Sequence, residues 1–446
     1  MFRFELFSQF PLRWVLWWIV MPNIGAFLLL PLGGPDMAWS MVICGALALL
    51  ISLSGQPLVR AFGLVAVFLL STLFYVSCAF NIDVERAFSS LQYVLELSPL
   101  QSPEYVVAGL VVAVAMAVSV RYGSRVDRPR GWRQVLMAVT GLALAINLDT
   151  VATGGTRGTY KMAAPADAPF TSAVRQTRLA PEIERGRNVL VVMVESMGLP
   201  TAPEDRALFD RIWDKQAWSA RYEVTQGSTP YFGSTTTGEM RELCGFWGNY
   251  PQLPSRAAPC LPEHYRAAGY DTLAIHSFEG EIFSRRQWYP EIGFARRLFR
   301  DDLTDRGARP CPGIFAGACD RDVPRIIGDL LRERRGRPQF VYWLTVNAHL
   351  PIPRNAELHT QDCRIGTRAF AEGFPMLCRG YELHKQVADA LTAEIMRSDF
   401  PDTDILIVGD HMPPYFQRSL RVRFDSAHVP WILLRHRSEA PQPQRL

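Results

Sequence analysis

The chain has 446 residues and a formal net charge of +4. So small a positive charge does not indicate a nucleic-acid-binding protein, and a chain of this length can form more than one domain. Apolar runs dominate residues 12–150, whereas residues 180–446 have the mixed composition of a soluble domain. We therefore expect a membrane-spanning part followed by a globular part that is large enough to bury a core of its own.

The N-terminal part contains five apolar stretches that approach the roughly 20 residues a helix needs to cross a bilayer. A cleaved signal peptide is an alternative for the first stretch, but it does not account for the four that follow. The pattern predicts a bundle of about five transmembrane helices over residues 1–150. The stretches are Trp14–Leu32, Met37–Leu53, Leu58–Phe80, Tyr105–Val120 and Trp132–Leu148.

Charged residues in the connecting loops predict the orientation of these helices. The loop before the fifth stretch holds five arginines, whereas loop 81–104 holds four acidic residues and one arginine. The arginine-rich loop should remain in the cytoplasm, which places residues 150–446 in the periplasm, outside the bacterial inner membrane. Loop 81–104 also has apolar residues near helical spacing between Phe88 and Leu95, which indicates either an interfacial helix or an ordinary loop.

Residues 151–186 are rich in Gly, Thr, Ala, Pro and Arg and predict a linker to a globular domain over residues 187–446. Six of the eight cysteines lie in that domain as close pairs. An even number on the oxidising side of a membrane favours three disulfides between sequence neighbours. A zinc cluster is the rival interpretation, although no C-x-x-C spacing occurs. The pairs are Cys244 with Cys260, Cys311 with Cys319, and Cys363 with Cys378.

Short apolar runs in the globular domain alternate with helix-compatible segments. This alternation predicts an α/β fold with a mainly parallel central sheet and helices on both faces. Ligands bind beyond the carboxyl ends of the strands in such sheets, so the residues at these ends are candidate site residues. The predicted strands are Val189–Val194, Thr272–Ile275, Phe340–Val346 and Ile405–Val408.

Polar residues of catalytic type follow all four predicted strands. Any one of these residues alone more often has a structural role. Their presence at the ends of all four predicted strands favours a functional site. Glu195, Asp410 and His411 together offer carboxylate oxygens and an imidazole, which suit one divalent metal ion, Mn²⁺ or Zn²⁺. The residues are, in chain order, Glu195, His276, Asn347, His349, Asp410 and His411.

A hydroxyl-rich loop at residues 233–239 is the candidate source of a nucleophile. A hydroxyl is a weak nucleophile until its proton is withdrawn, and coordination by a metal ion withdraws it. A loop of Ser, Thr and Gly is usually only a loop, so this segment becomes informative through the motifs around it.

Taken in order, these motifs resemble those of the sulfatase-like branch of the alkaline phosphatase superfamily. Within that branch, the pattern is most similar to membrane-anchored phosphotransferases: lipoteichoic acid synthases, phosphoglycerol transferases of periplasmic glucans and lipid A phosphoethanolamine transferases. The matching segments are the first metal-ligand strand (188–198), the nucleophile loop (235–245), a His…Arg…Gly-aromatic segment (276–294), an active-site His motif (345–351) and a final metal-ligand pair (409–411).

The resemblance implies a metal site and a nucleophile. In the family the catalytic Thr precedes a Glu by four residues, which selects Thr235 before Glu239. Thr235 would then complete a metal site with the three candidate ligands Glu195, Asp410 and His411.

The resemblance also implies roles for residues around that site. Arg285 would hold the substrate phosphate, so the fold itself should not need Arg285. His349 or His276 would carry the proton. Glu239 and His428 are further candidates for the site, and a structural role for His428 is equally compatible with the sequence.

The implied activity is metal-dependent transfer of a phospholipid head-group phosphate, phosphoglycerol or phosphoethanolamine, through a phosphothreonine. The partners would be a membrane phospholipid donor and a glycan or glycolipid acceptor outside the inner membrane, with no nucleic acid. Alternatives are a hydrolase of phosphodiesterase or sulfatase type on the same scaffold and an inactive lipid-sensing relative.

Departures from the family pattern bear on the head group rather than on the metal site. Phe278 stands where lipoteichoic acid synthases have a polar residue that contacts glycerol, and Phe283 stands where they have Trp. A sulfatase needs a C/S-x-P-x-R motif for its formylglycine, and segment 228–232 has Phe232 in place of the required Arg. The sequence therefore disfavours a sulfatase and leaves the head group open.

Overall fold

The computed structural model describes residues 11–30, 35–80, 84–89, 103–126, 128–153, 164–165, 167–184, 186–333, 336–415 and 417–437. The chain divides into two compact units, Met1–Lys161 and Met162–Leu446. The division falls inside the segment 151–186 that the sequence predicts as a linker. Most of the predicted interfacial helix between Phe88 and Leu95 lies outside the described residues.

The first unit is helical throughout its described part. Three of its helices are long and apolar enough to cross a membrane, over Pro57–Cys78, Val106–Gly123 and Gly131–Thr153, and the first two apolar helices are shorter. A bundle of five spanning helices therefore remains a prediction. The helices are α1 (Leu12–Leu28), α2 (Ala38–Ser52), α3 (Pro57–Phe80), α4 (Val84–Ser89), α5 (Pro103–Gly123) and α6 (Gly131–Thr153).

Helix α1 is irregular where Pro22 interrupts it. A π-helical turn over Leu16–Val20 and a 3₁₀ turn over Met21–Asn23 separate its α-helical ends, as expected where proline lacks the N–H that a regular turn uses. Asn23 is buried and accepts a hydrogen bond from Ser71 Oγ at 2.8 Å. Such internal partners satisfy buried polar groups on apolar helices.

The second unit is built on a seven-stranded sheet with the order β2-β9-β8-β1-β7-β3-β4. Strands β8, β1, β7, β3 and β4 are parallel, whereas β9 runs antiparallel to both β8 and β2. The strands are β1 (Asn188–Val194), β2 (Tyr222–Pro230), β3 (Asp271–His276), β4 (Arg296–Leu298), β7 (Gln339–Leu344), β8 (Thr403–Gly409) and β9 (His428–His436), with a separate hairpin of β5 (Pro310–Cys311) and β6 (Gly317–Ala318).

The sheet is therefore mixed: five of its seven strands are parallel, as expected of a mainly parallel sheet, and the antiparallel strands β2 and β9 were not predicted. All four predicted strands lie in the parallel part, because strands buried on both faces read as continuous apolar runs. Sequence reasoning missed β2 and β9. The edge strand β2 is largely polar, and Pro430 interrupts the apolar run of β9, so neither carries the signal of a central strand.

Both faces of the central strands are covered. Successive side chains of a strand point to opposite faces of the sheet. The neighbouring residues Val191 and Val192 of β1 are both fully buried, so both faces are covered at this strand. The helices of this unit are α7 (Ala173–Thr177), α8 (Pro181–Glu184), α9 (Pro203–Ile212), α10 (Lys215–Trp218), α11 (Thr235–Glu239), α12 (Leu261–Ala267), α13 (Arg285–Glu291), α14 (Arg300–Asp305), α15 (Val323–Glu333), α16 (Arg368–Gly373), α17 (Pro375–Ile395) and α18 (Arg418–Arg421).

Three disulfides stabilise the second unit, and all three predicted pairs are confirmed. The bonds join Cys244 to Cys260, Cys311 to Cys319, and Cys363 to Cys378. The zinc-cluster alternative for these six cysteines is therefore wrong. Each bond closes a loop of 8 to 16 residues, and closing loops of this size is worth about 3 kcal/mol on the chain-entropy model.

Candidate active site

The carboxyl ends of the parallel strands meet at one edge of the sheet. Val194, the last residue of β1, pairs with Gly409, the last residue of β8. Glu195 therefore leaves β1 beside the point where Asp410 and His411 leave β8. One ligand atom from each of these three buried residues lies within 4.8 Å of the others. The register of two neighbouring strands thus assembles ligands that are more than 200 positions apart in the chain.

Thr235 brings its hydroxyl into the middle of this group. Its Oγ1 lies 2.8 Å from Asp410 Oδ2, 3.3 Å from Glu195 Oε2 and 3.3 Å from His411 Nε2. Thr235 is the first residue of α11 and follows a tight turn at Gly233, whose φ is +85°. We call Glu195, Thr235, Asp410 and His411 the four-residue centre.

The other two threonines of the loop face elsewhere. Thr237 Oγ1 lies 2.6 Å from the Ser234 carbonyl oxygen. Thr236 Oγ1 is buried and has no hydrogen-bond partner among the described residues. Among these three adjacent threonines, Thr235 is the one whose hydroxyl contacts the candidate metal ligands.

Backbone groups orient the ligands of the four-residue centre. Asp410 Oδ1 accepts hydrogen bonds from the N–H groups of Ser196 at 2.8 Å and His411 at 2.6 Å, which leaves Oδ2 toward Thr235. Ser196 has a φ of +57°, a conformation that costs about 1 kcal/mol or more for a residue other than glycine. Its hydroxyl also donates to Glu195 Oε1 at 2.8 Å.

The tautomer of His411 follows from its hydrogen bond to the backbone. Nδ1 lies 2.9 Å from the Met412 carbonyl oxygen, which can only accept, so Nδ1 carries the proton. Nε2 then presents its lone pair toward Thr235 and the two carboxylates. This is the arrangement in which histidines bind metal ions, with the second nitrogen held by an outer partner.

The electrostatics of the four-residue centre favour a bound cation. Burial raises the pKa of Glu195, and burial together with the nearby Glu195 charge raises the pKa of Asp410 to about 6. Burial lowers the pKa of His411, but the charges of Asp410 and Glu195 outweigh it and leave that pKa raised. Neither carboxylate forms an ion pair with an arginine among the described residues, and two buried carboxylates that only His411 faces are costly. One divalent ion would relieve this cost, so the residues present fit a metal site.

Three buried residues that sequence reasoning missed hold this centre in place. His384 on α17 donates from Nε2 to the Glu195 carbonyl oxygen at 3.0 Å. Arg241 donates to the carbonyl oxygens of Gly409 at 2.7 Å and Asp410 at 3.2 Å. Thr345 Oγ1 accepts from the Glu195 N–H at 2.9 Å. Nothing in the local sequence marks these contacts, because each joins segments far apart in the chain.

A second buried group lies at the other end of α11. Glu239 accepts hydrogen bonds from Tyr289 at 2.6 Å, Tyr342 at 3.2 Å and the Arg285 guanidinium, whose Nη2 is 2.8 Å away. We call these four residues the Glu239 cluster. Burial and the Glu239 charge raise the pKa values of both tyrosines well above their usual range, so they act as neutral donors.

Arg285 therefore has a protein partner that the sequence did not reveal. Its side chain is 2 % exposed and paired with a fully buried carboxylate, which argues against the expectation that the fold does not need Arg285. Its proposed contact with a substrate phosphate stays a prediction. Nη1 is the arm not engaged by Glu239, with a contact of 3.5 Å to the Ile282 carbonyl oxygen.

His276 is buried and His349 is half-buried, and both are neutral near pH 7. Burial, followed by the charge of His411, lowers the pKa of His349 to about 4, and burial with the Arg285 charge lowers that of His276 well below its usual value. His349 Nδ1 donates to the Leu350 carbonyl oxygen at 2.8 Å, which leaves Nε2 as a proton acceptor. Phe315 packs edge-on against His349, with ring centroids 4.3 Å apart.

His428 is placed differently from the other candidates. It begins β9, it is partly exposed, and its Nδ1 lies 3.3 Å from Asp425 Oδ1. No contact joins His428 to the four-residue centre within the described part of the chain. The structure therefore gives this histidine a local structural partner.

Comparison with known proteins defines the class. The model of the sulfatase family matches residues 187–426, more than half of the chain, and the chain belongs to this family. A Rhizobium meliloti (strain 1021) protein named for cyclic beta-1,2-glucan modification is 27% identical over 207 residues, which cover 42% of this chain and 30% of that protein. The match thus spans less than a third of that relative.

Several solved structures are also similar. Lipoteichoic acid synthase LtaP from Listeria monocytogenes has a TM-score of 0.45 at 16% identity, with 57% of this chain and 67% of that one covered. Phosphoglycerol transferase GacH from Streptococcus pyogenes, in complex with sn-glycerol-1-phosphate, scores 0.36 at 15% identity, over 57% and 72%. The periplasmic domain of EptC from Escherichia coli, in complex with Zn, scores 0.39 at 12% identity, over 56% and 73%. With scores this low, function is argued from the site itself.

Proposed function

We propose that the chain is a membrane-anchored phosphotransferase of the bacterial cell envelope. It would move a phospholipid head-group phosphate, phosphoglycerol or phosphoethanolamine, through a phosphothreonine at Thr235 onto a glycan or glycolipid acceptor. The observation that carries this proposal is the position of the Thr235 hydroxyl, which lies within 3.3 Å of an atom of each candidate metal ligand.

Glu195, Thr235, Asp410 and His411 would hold one divalent ion, Mn²⁺ or Zn²⁺. When bound, such an ion lowers the pKa of a coordinated hydroxyl and offsets negative charge on phosphoryl oxygens. The protein itself orients Thr235 against Asp410 Oδ2, at 2.8 Å, which aligns its hydroxyl for deprotonation. Water is largely excluded, since Glu195, Asp410 and His411 are all buried.

The neutral histidines suit the proton transfers of a two-step reaction. In the first step, Thr235 Oγ1 forms a bond to phosphorus as the bond to the diacylglycerol oxygen breaks. In the second, the acceptor hydroxyl displaces Thr235. A histidine with a low pKa and an acceptor Nε2, such as His349, can receive a proton and return it to the leaving oxygen. Arg285 Nη1 is the proposed donor to the phosphate.

A lipid donor explains the membrane-spanning part of the chain. Diacylglycerol, the product of the first step, stays in the bilayer, so an enzyme tethered there keeps access to donor and product. We propose about five spanning helices, a cytoplasmic N-terminus and a catalytic domain, residues 187–446, in the periplasm. An alkaline phosphatase reporter fused after Leu446 should be active in the periplasm. A cytoplasmic reporter active at the same position would overturn this topology.

Mass spectrometry of the intact protein after incubation with phospholipid tests the chemistry. We expect an added mass on Thr235 equal to phosphoglycerol or phosphoethanolamine, and this mass identifies the head group. A Thr235→Ala variant is the control. Head-group phosphate released without an acceptor at full rate would indicate a hydrolase instead. Absence of both bound metal and adduct in the purified protein would indicate an inactive relative.

A further inference from the structure

A cavity of about 580 Å³ lies beside the segment that follows the active-site histidine His349. It is formed by residues 354–379, between β7 and the first turn of α17. Positive side chains outnumber negative ones in its wall. The positive residues of the wall are Arg354, Arg364, Arg368 and Arg379, and the negative residues are Asp362 and Glu372.

Two of these arginines already have partners inside the protein. Arg368 Nε donates to Glu372 at 2.6 Å. Arg379 is buried and donates from Nε to the Ile352 carbonyl oxygen at 2.9 Å. Arg354 and Arg364 differ from these two, because both are exposed and neither forms a salt bridge in the part of the chain that the structure describes. The Arg364 backbone N–H donates to the Glu382 carboxylate, and the charges of Arg364 and Glu382 attract each other. The wall therefore presents two guanidinium groups to a ligand.

The wall is held in a defined shape. The disulfide between Cys363 and Cys378 ties the loop that carries Arg364 to the first turn of α17. Thr360 Oγ1 donates to the Pro353 carbonyl oxygen at 2.6 Å, which closes the loop behind Arg354. A site whose frame is already ordered loses less entropy when a ligand binds.

The cavity is adjacent to the active site but separate from it. Ile352, which Arg379 contacts, lies three positions after His349. Helix α17 carries both Arg379 and His384, which are five residues and so roughly 7.5 Å apart along the helix axis. His384 holds the Glu195 carbonyl. None of the four proposed metal-binding residues lines the cavity.

We propose that this cavity is an acceptor subsite, in which Arg354 and Arg364 bind an anionic substituent of the acceptor glycan. Arginine forks suit phosphate, sulfate and carboxylate groups. The assignment to the acceptor rests on the proposed function, because the donor phosphate belongs at Thr235. In the transfer, the acceptor hydroxyl oxygen bonds to phosphorus, the Thr235 Oγ1–phosphorus bond breaks, and the hydroxyl proton passes through His349 to Thr235 Oγ1.

Calorimetric titration of the full-length protein in detergent tests the subsite. The probes are glucose 6-phosphate, glucose, inorganic phosphate and a soluble short-chain phosphatidylglycerol. We compare the wild type with Arg354→Ala/Arg364→Ala. The matched control, Arg211→Ala/Arg306→Ala, removes two exposed arginines that do not line the cavity. The metal centre is common to all three proteins, so differences between them report on the cavity.

We expect the cavity variant to bind glucose 6-phosphate at least about tenfold more weakly than the wild type, since it lacks two charged hydrogen-bond donors. The control variant should match the wild type, and glucose should bind far more weakly than its phosphate. Equal affinity in the wild type and the cavity variant overturns the proposal. The proposal is also overturned if inorganic phosphate binds the wild type as tightly as glucose 6-phosphate does. It is overturned as well if phosphatidylglycerol is the probe whose binding the cavity variant loses.

The adduct on Thr235 separates this proposal from the proposed function. The cavity variant should form the adduct with lipid as fast as the wild type, because only the acceptor half of the reaction uses the cavity. Slower adduct formation in this variant would assign the cavity to the donor and overturn the subsite. If the wild type forms no adduct, the proposed function fails, while the titration still decides whether the cavity binds anionic sugars.

Discussion

The two buried polar groups at the ends of helix α11 have opposite charge balances. The Glu239 cluster is electrically complete, because Arg285 neutralises the carboxylate and two tyrosines donate to it. The four-residue centre has two carboxylates, and their pKa values are raised by burial. A buried carboxylate that is paired with an arginine inside the protein stabilises the fold. A buried pair of carboxylates without such a partner indicates a site for a cation.

The largest effect is expected from Thr235→Ala. Loss of the hydroxyl that contacts all three candidate ligands should lower transfer by more than about a thousandfold and abolish the adduct, with little change in stability. Thr236→Ala and Thr237→Ala should keep measurable activity. Mass spectrometry and a transfer assay on the three variants measure this. A dead Thr236→Ala variant would mean that the structural assignment of the nucleophile has slipped by one residue, and three active variants would exclude a threonine intermediate.

The Glu239 cluster predicts a loss of stability rather than a loss of chemistry alone. Arg285→Ala leaves a buried carboxylate unpaired and should lower the free energy of unfolding by about 3–5 kcal/mol. Adding Glu239→Gln to that variant should restore part of the loss, because the amide carries no charge. Arg286→Ala, which breaks an exposed pair with Glu281, is the control and should cost less than about 1 kcal/mol.

Chemical denaturation measures the free energy of unfolding of each variant. The metal content of each protein is measured separately. Arg285→Lys should fold better than Arg285→Ala but transfer poorly, since Lys lacks the second donor arm of the guanidinium. If Arg285→Ala is as stable as the wild type, the Glu239 cluster has no structural role.

The four-residue centre predicts an unusual pH dependence for the metal-free protein. The pKa of Asp410 rises from its ordinary value of 3.8 to about 6 on folding, so the folded state binds this proton more tightly than the unfolded state. The stabilising contribution is therefore complete below pH 4 and is lost as the pH rises through 6, by up to about 3 kcal/mol.

Asp410→Asn should remove that part of the pH dependence and should be at least as stable as the metal-free wild type at pH 7, while binding no metal. Unfolding curves of both proteins in chelator between pH 4 and 7 measure the difference. Metal should reverse the trend in the wild type, because protons compete with the ion for the ligands. A wild type whose stability falls in parallel with the variant across this range contradicts the charge imbalance.

A smaller effect is expected from His384, which acts through the backbone of Glu195. His384→Ala should weaken metal binding about ten- to a hundredfold, as losses of outer partners do. His384→Gln, whose amide can donate to the same carbonyl, should recover part of the affinity. Metal titration measures both. A His384→Ala variant that binds metal normally but unfolds more easily would show that His384 supports only the fold.

The chemistry of the site could be read largely from residue types. Glu195, Asp410 and His411 follow short apolar runs that predict buried strands, and polar residues at such ends meet at one edge of a parallel sheet. The three disulfides also followed from sequence spacing and compartment. The antiparallel strands β2 and β9 did not, because the edge strand β2 is largely polar and Pro430 interrupts the apolar run of β9, so neither carries a clear strand signal.

The sequence by itself determined the division into an apolar and a globular part, the parallel strands, the cysteine pairs and the identity of the candidate ligands. These properties depend on local patterns of hydrophobicity and on the chemistry of single side chains. Only the tertiary structure decided which partner Arg285 has and that His384 and Arg241 hold the strand ends that carry the candidate ligands. These contacts depend on which distant segments of the chain pack together. The residues next to a buried charge in the sequence do not indicate which distant group neutralises that charge.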